Sequence, residues 1–281
     1  MCAAPPLRLS PLSARLLSWR RRHPPEIRIL LSKLNRIGPY AVIAGFIALW
    51  WGSVKVSGSP IFPAPLDVIR GSILLAKEGV LLHHIFASIM RVGVGYSLAI
   101  ALAIPLGVAM GWYPGVYRAM NPVIQMLRPI SPIAWIPLAI LWFGVGNTSP
   151  IFLITLSSFF PMVVGTVAGV HAVERQYIRA AENFGITGMK LLRQVVIPAA
   201  MAQIVTGMRI GLGIAWLVVV AAEMVAINSG LGYMIIDARN AGNRYDLVVA
   251  GMVFIGLIGF LLDFLMRRLE RVDEVRWRYV R

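Results

Sequence analysis

HAVERQYIRAAENFGITGMKLLRQVVIP, residues 171–198, is a charged segment between two long apolar segments of the chain. Gly185 suits the C-terminus of a first helix, where a left-handed residue is needed. Thr187 is a suitable N-cap for a second helix, and Pro198 marks the entry into the next apolar segment. One helical face of the first part is predicted to carry Val173, Tyr177, Ala180, Ala181 and Phe184. The segment is therefore predicted to form two short helices between two membrane-spanning helices.

The rest of the chain has the composition of a membrane protein. Of its 281 residues, 58% are hydrophobic and 14% are charged, whereas soluble domains carry about 25% charged residues. About 20 apolar residues are enough to span a bilayer as a helix. The apolar segments cover about 39–56, 84–110, 116–143, 149–170, 199–226 and 247–266. They predict an all-α polytopic membrane protein with about six transmembrane helices.

The distribution of basic residues predicts how these helices are oriented. The net charge is +15, and Lys and Arg concentrate in tails and loops, which indicates membrane orientation rather than nucleic-acid binding. Nineteen of them fall in the N-terminal tail, near Arg118, in 171–197 and in the C-terminal tail, against five on the opposite side. Both ends are therefore predicted to be cytoplasmic. The predicted organisation is a basic tail (1–38), a transmembrane domain (39–270) and a short C-terminal tail (271–281).

The segment 60–80 is too polar to cross the membrane. Prolines keep its start extended, and the part from Asp67 to Lys77 has the pattern of a short amphipathic helix. Its apolar side is predicted to carry Leu66, Ile69, Ile73 and Leu74. We interpret it as an interfacial helix on the outer membrane surface.

Two of the predicted spans carry small residues at a spacing of four. In the second span these are Gly95, Ala99, Ala103, Gly107 and Gly111. In the fifth span they are Gly207, Gly211 and Ala215. Such stripes let another helix backbone come close, so both are predicted to be packing surfaces.

The third predicted span is interrupted by Pro129, Pro132 and Pro137. Each proline removes a backbone donor and strains the preceding turn. In lipid, the freed carbonyls must find partners inside the protein or in a water-filled cavity. The span is therefore predicted to be broken. It either lines a transport path or carries a kink that serves packing alone.

Among the ionisable residues within the predicted spans, the candidates for a functional role are Arg91, Arg128, Arg209 and Glu223, and the acids within or bordering the spans are Glu223 and Asp263. Arg209, Trp216 and Glu223 are seven residues apart and share one face of the fifth span. About 21 Å separates Arg209 from Glu223 along the helix axis, so each needs a partner in another helix, another subunit or water. Two hypotheses concern Arg128 and Arg209: they attract an anion, or they are structural. The candidates for a transport path are Arg128, Trp135, Arg209, Trp216 and Glu223.

Sequence motifs for chemistry are missing from the chain. It contains no Gly-Lys dipeptide and therefore no nucleotide-binding P-loop. It contains no His-Glu-x-x-His pattern, its four histidines lack metal-binding spacing, and its single cysteine is Cys2. We therefore expect no catalytic residue, no metal and no cofactor in this chain.

The spacing within residues 171–198 resembles the EAA motif of ABC importer permeases. Two alanines, three residues, a glycine, nine residues and an apolar step ending in proline follow one another. Arg179 occupies the position at which that family carries an acidic residue, and Glu182 is a candidate replacement one turn later. Further stretches similar to permeases of the nitrate/sulfonate/taurine importer family are RPISPIAWIPLAILWFGVG (128–146), MRIGLGIAW (208–216) and AAEMVAINSGLGYMI (221–235). The resemblance covers about residues 39–275.

This resemblance implies a type I ABC importer permease fold and a loop, 171–198, that couples to an ATPase. The implied coupling residues are Arg179, Ala180, Ala181, Glu182, Gly185 and Pro198. It also implies a homodimer in the bacterial inner membrane, two ATPase subunits that bind ATP, and an external substrate-binding protein. The implied substrate is a small anion, of the taurine/alkanesulfonate or nitrate type, carried by alternating access. Two other functions stay open: an ATP-independent secondary transporter or channel, and a membrane scaffold.

Overall fold

The computed structural model describes residues 25–58, 61–77, 79–240 and 242–269, which are helical and contain no strand. The helices are α1 (Pro25–Ser57), α2 (Pro65–Lys77), α3 (Val80–Trp112), α4 (Pro114–Leu127), α5 (Ile136–Phe143), α6 (Thr148–His171), α7 (Arg175–Asn183), α8 (Gly188–Leu191), α9 (Ile197–Ala226), α10 (Leu231–Asn240) and α11 (Tyr245–Leu269). A 3₁₀ helix (Pro132–Trp135) precedes α5, and a π-helical turn (Leu192–Val196) joins α8 to α9. The chain divides into one unit up to Pro65 and a second from Leu66 onward.

Helix α1 contains the first predicted span. Its part from Tyr40 to Ser57 is long and apolar enough to cross a membrane. Residues 25–38, which the sequence assigns to the basic tail, belong to the same helix. Residues 1–24 of that tail and the C-terminal tail, 271–281, lie outside the described residues.

The other predicted spans lie in the second unit. The single helical stretches long and apolar enough to cross a membrane are Val80–Trp112, Thr148–His171, Gly188–Val225 and Tyr245–Arg268. Helix α4 and the stretch Pro132–Phe143 qualify together, as a pair bent by 86°. The predicted all-helical membrane fold is therefore confirmed, with up to six spans in the described residues.

The bend in the third span lies at its prolines. Helix α4 ends at Leu127, and Pro129 and Pro132 follow before α5 begins at Ile136. Pro137 lies in the first turn of α5, where its missing N–H leaves no intrahelical bond unmade. The predicted break is confirmed, and proline chemistry is its cause.

Helix α6 is the centre of the second unit, because α3 and α9 both pack closely on it. A Cβ atom added to Gly107 of α3 would lie 2.6 Å from Cβ of Thr166, and one added to Gly111 would lie 2.6 Å from Cβ of Val170. On the other side, a Cβ on Gly165 of α6 would lie 2.8 Å from Cα of Gly207. Both small-residue stripes are therefore confirmed as packing surfaces, since neither contact leaves room for a side chain.

Helix α2 forms where an amphipathic helix was predicted. It buries Val68, Gly71 and Leu75, and a Cβ on Gly71 would meet the Leu247 side chain of α11 at 3.0 Å. The apolar side chains predicted to share a side are exposed, namely Leu66, Ile69, Ile73 and Leu74. An exposed apolar side is typical of an interfacial helix. The location of α2 on the outer membrane surface stays a prediction.

Candidate functional site

The loop 171–198 contains the two helices expected from its sequence. Helix α7 ends in a turn in which the Gly185 N–H donates to the Glu182 carbonyl (2.9 Å) and the Ile186 N–H donates to the Ala181 carbonyl (3.0 Å). This pair of bonds is a Schellman motif, which requires a left-handed residue. Gly185 supplies it with φ +76°, so its predicted role at the helix end is confirmed.

The second helix of the loop is continuous with the next span. Thr187 occupies the N-cap position of α8, as predicted, but its side chain makes no capping hydrogen bond. From α8 the chain passes through the π-helical turn into α9 without leaving a helical conformation. Pro198 lies in the first turn of α9. A displacement of α8 is therefore transmitted to α9 directly through the backbone.

A small hydrophobic core fixes the loop to the ends of α6 and α9. Its buried residues are Val170, Val173, Ala181, Leu191, Leu192, Val196, Ala200 and Ile204. Ile178 and Ile186 pack against this core. Because the core includes side chains from α6, α7, α8 and α9, the loop is held as a rigid attachment to the transmembrane helices.

The predicted apolar face of the first helix is divided by this core. Val173 and Ala181 are buried, whereas Tyr177, Ala180 and Phe184 are exposed. The prediction of one shared face is wrong because α7 spans only Arg175–Asn183, so helical spacing does not extend to Val173 or Phe184. We call Tyr177, Ala180 and Phe184 the aromatic face of the loop. Phe184 is 85% exposed and Tyr177 is 52% exposed.

Charged residues border the aromatic face. Arg179 and Glu182 of α7 are both exposed. Exposed apolar groups with charges at their edge are typical of a surface that meets another protein. The loop therefore presents a rigid surface with the composition of an interface.

A buried ion pair lies between α3 and α9. Arg91 Nη1 of α3 is 2.7 Å from Glu223 Oε1 of α9, and the two side chains are 4% and 0% exposed. The Ser88 hydroxyl lies 2.8 and 2.9 Å from the two carboxylate oxygens of Glu223. The backbone N–H of Gly232 donates to Glu223 Oε2 at 3.0 Å. A buried carboxylate needs such partners, because an unpaired charge in a low-dielectric interior is very costly.

The same cluster fixes the turn that precedes α10. Arg91 donates to Asn147 Oδ1 (2.9 Å) and to both the carbonyl (3.0 Å) and the hydroxyl of Ser229. The Gly230 N–H donates to His84 Nδ1, and the Leu231 N–H donates to the Ser88 hydroxyl, each at 3.0 Å. The cluster thus connects α3, the start of α6, α9 and α10. The sequence singled out Arg91 and Glu223 separately but not Ser88 and Asn147, which no motif marks, and it gave no role to Ser229 within the stretch 221–235.

Arg209 is paired with a different carboxylate. Its Nε donates to Asp263 Oδ1 at 2.7 Å, and Arg267 donates to the other oxygen of Asp263 at 2.8 Å. The expectation that Arg209 and Glu223 each need a partner outside α9 is confirmed for both. Trp216 is buried on the same helix, and its indole N–H donates to the Ile255 carbonyl at 3.0 Å. Arg209 and Trp216 therefore both contribute to the contact between α9 and α11.

A cavity of about 360 Å³ lies beside the break in the third span. Of the five candidates for a transport path, Arg128 and Trp135 line this cavity, and Arg209, Trp216 and Glu223 do not. The other walls come from α6 and α9, next to the contact between Gly165 and Gly207. The cavity therefore borders the interface between α6 and α9. A movement of α9 against α6 would change the shape of this cavity.

Comparison with known proteins places the chain in a family. Residues 103–272 match the inner membrane component of binding-protein-dependent transport systems. The chain belongs to this family. The taurine transport system permease protein TauC of Escherichia coli is 37% identical over 92% of this chain and 94% of its own. A putative ABC transporter permease of Methanocaldococcus jannaschii is 47% identical over 68% of this chain and 72% of its own.

A further relative and a solved structure are also similar to this chain. The nitrate import permease NrtB of Synechocystis is 32% identical over 89% of this chain and 93% of its own. In fold, the chain is similar to a chain of the MetNI methionine ABC transporter, with a TM-score of 0.61 and 18% identity over 68% of this chain and 95% of that one. The protein is thus a multi-pass membrane permease subunit of an ABC importer. The alternatives, a secondary transporter or channel and a membrane scaffold, are not supported.

Proposed function

We propose that this permease imports a small anion of the taurine/alkanesulfonate or nitrate type. It does so as a homodimer, with two separate ATPase subunits and an external substrate-binding protein. The observation that carries the proposal is the loop 171–198, whose aromatic face is exposed on a rigid attachment to α6 and α9. The separate ATPase subunits bind the ATP, because this chain contains no P-loop.

The coupling mechanism follows from the anchoring of the loop. When the ATPase subunits close on ATP, they move the aromatic face, and α7 moves with it as a rigid body. The helical continuity of α8 with α9 transfers this movement to the α6–α9 contact. The ATP-bound, closed ATPase dimer then contacts the loop differently in the inward-open and outward-open states of the permease. This difference in binding free energy is what allows ATP to shift the permease from one state to the other.

The coupling residues have different roles in this mechanism. Ala180 and the exposed Arg179 and Glu182 contact the ATPase, together with the rest of the aromatic face. Ala181 does not contact the ATPase, because it is only 7% exposed. It packs in the hydrophobic core of the loop and thereby holds α7 in position. Gly185 and Pro198 shape the backbone at the end of α7 and at the start of α9.

Orientation in the inner membrane follows from the distribution of basic residues. The loop 171–198 and both ends of the chain lie in the cytoplasm, since these parts carry most of the Lys and Arg. The loop thereby meets an ATPase on the side where ATP is present. The substrate class rests on the similarity to TauC, which covers nearly the whole chain.

The variant Phe184→Asp tests the docking surface. We expect the amount of ATPase that copurifies with the permease to fall roughly tenfold or more, because a charge replaces an exposed aromatic anchor of the interface. The matched control is Val145→Asp, which places the same charge at a residue 73% exposed in the turn after α5. The control is expected to retain the ATPase. Full ATPase recovery and full ATP-driven uptake with Phe184→Asp would show that the aromatic face is not the docking surface.

A further inference from the structure

Arg128 differs from the other arginines of the predicted spans in its surroundings. Arg91 is held by Glu223 and Arg209 by Asp263. The guanidinium group of Arg128 makes no hydrogen bond or ion pair with the residues that the structure describes. It lines the cavity instead, at the C-terminal end of α4. An ion pair with a described carboxylate therefore explains the presence of Arg91 and of Arg209 in the predicted spans. No such ion pair among the described residues explains the presence of Arg128.

The cavity has one cationic group and no acidic one among its lining residues. The hydroxyl protons of Ser157 and Thr206 are donated to backbone carbonyls of their own helices, at 3.0 and 2.9 Å. These two groups therefore offer lone pairs rather than donors to a bound molecule. The side-chain amide of Gln203 makes no hydrogen bond with the described residues. The donors available to a ligand are thus the guanidinium of Arg128, the amide of Gln203 and the indole N–H of Trp135, which makes no hydrogen bond with the described residues either.

The remaining walls are largely apolar. Trp135, Phe160 and Ile210 line the cavity, and Trp135 belongs to the 3₁₀ helix at the break. An apolar wall next to a single guanidinium suits a molecule with an oxoanion group and a short organic part. A bare inorganic anion would leave the apolar wall without a contact.

We propose that Arg128 and Gln203 form a transient binding site for the oxoanion group of an organic sulfonate, with the organic part against Trp135 and Ile210. This inference rests on the proposed import of a small anion. A guanidinium fork matches a sulfonate geometrically, with two parallel hydrogen bonds. A single cation keeps the site weak, which transport requires, because a substrate must leave the site as readily as it enters.

Uptake by the whole importer tests this site. The permease is reconstituted with its ATPase and its binding protein in phosphatidylcholine vesicles, and ATP-driven uptake of ethanesulfonate, whose organic part is apolar, is measured. We expect Arg128→Gln to lower the uptake per ATP hydrolysed roughly tenfold or more, because a charge-assisted hydrogen bond to the substrate is lost. Gln203→Leu should reduce uptake by a smaller factor. The substrate concentration for half-maximal uptake should stay the same, since the binding protein sets it.

The matched control is Arg118→Gln. Arg118 is also exposed, but it lies outside the cavity and donates to the Pro114 carbonyl at 3.4 Å. Its replacement should leave uptake unchanged. A direct measurement complements the assay: titration of ethanesulfonate into the permease–ATPase complex without the binding protein, in which Arg128→Gln should weaken binding by a similar factor.

The outcomes separate this site from the proposed function. If the wild-type importer transports neither taurine, ethanesulfonate nor nitrate, the proposed function fails. If it transports ethanesulfonate and Arg128→Gln neither weakens binding nor slows uptake of that sulfonate, the site is refuted while the proposed function stands. If the variant loses activity only in vesicles that contain anionic lipid, Arg128 binds a lipid phosphate, and the substrate site is refuted as well.

Discussion

Arg91→Met is expected to lower the free energy of unfolding of the permease by about 3–5 kcal/mol, because it leaves Glu223 charged, buried and without its cation. Glu223 is fully buried, and Arg91 is its only ion-pair partner among the described residues. The variant also removes the donor to Asn147 and Ser229. Thermal unfolding of the purified protein in lipid nanodiscs measures the effect as a large drop in melting temperature.

An exposed ion pair provides the matched control. Arg244 donates to Asp246 at 2.8 Å, but its side chain is 47% exposed. Arg244→Met is therefore expected to cost at most about 1 kcal/mol. The double variant Arg91→Met/Glu223→Leu should recover part of the stability, because it removes the unpaired charge. Similar melting temperatures for Arg91→Met and Arg244→Met would refute the importance of the buried pair.

Gly232→Ala is expected to displace α10 from α9 and to destabilise the permease by about 1–3 kcal/mol or more. A Cβ atom on Gly232 would lie 2.2 Å from the carbonyl oxygen of Val220 and 2.9 Å from Cβ of Glu223. The nearest obstacle is backbone, so no side-chain rotation relieves the clash. The same shift would break the hydrogen bond from the Gly232 N–H to Glu223.

The effect of Gly232→Ala is measured by thermal unfolding and by the rate of proteolysis within residues 231–240. Gly213→Ala is the matched control, because Gly213 is also helical and a Cβ there would meet nothing within 4 Å. That control should be neutral or slightly stabilising, since alanine favours helix more than glycine does. Equal melting temperatures and equal cleavage rates for the two variants would contradict the proposed packing of α10.

Arg91→Met and Gly232→Ala both test how α10 is held against α9. The Arg91–Glu223 pair and the closely packed Gly232 both position α10 against α9. The proposed movement of α9 during transport would act on this contact as well as on the α6–α9 contact. The position of α10 is therefore fixed by a buried polar cluster in addition to its buried apolar side chains.

Local features of the fold were predictable from the sequence. The small-residue stripe with Gly107 and Gly111 predicted a close helix contact, and the prolines between Leu127 and Ile136 predicted a broken span. Gly185 predicted the end of α7. Each of these properties depends on the residue itself and its nearest neighbours in the chain, through steric limits on the backbone or the loss of a donor.

The side chains that share a site were not predictable in the same way. Arg91 and Glu223 are 132 residues apart, and no periodicity relates them. The sequence placed Tyr177 and Ala181 on one helical face, but Ala181 is buried and Tyr177 is exposed, because the core beneath this nine-residue helix sets its rotation. The sequence offered Arg128 and Arg209 as equivalent candidates, but in the structure Arg209 pairs with Asp263 on α11, whereas Arg128 lines the cavity.

The loop 171–198 also combines features that the sequence predicts with features that depend on the tertiary structure. By itself, the sequence determined that this chain is an all-helical membrane protein with a helical loop spaced like that of an ABC importer permease, because composition and spacing are properties of the chain alone. The tertiary structure decided which face of the loop is exposed, which intramembrane charges are paired, and that Arg128 lines the cavity. The physical reason is that exposure and pairing depend on helices far apart in the chain, whose contacts are fixed only when they pack around α6.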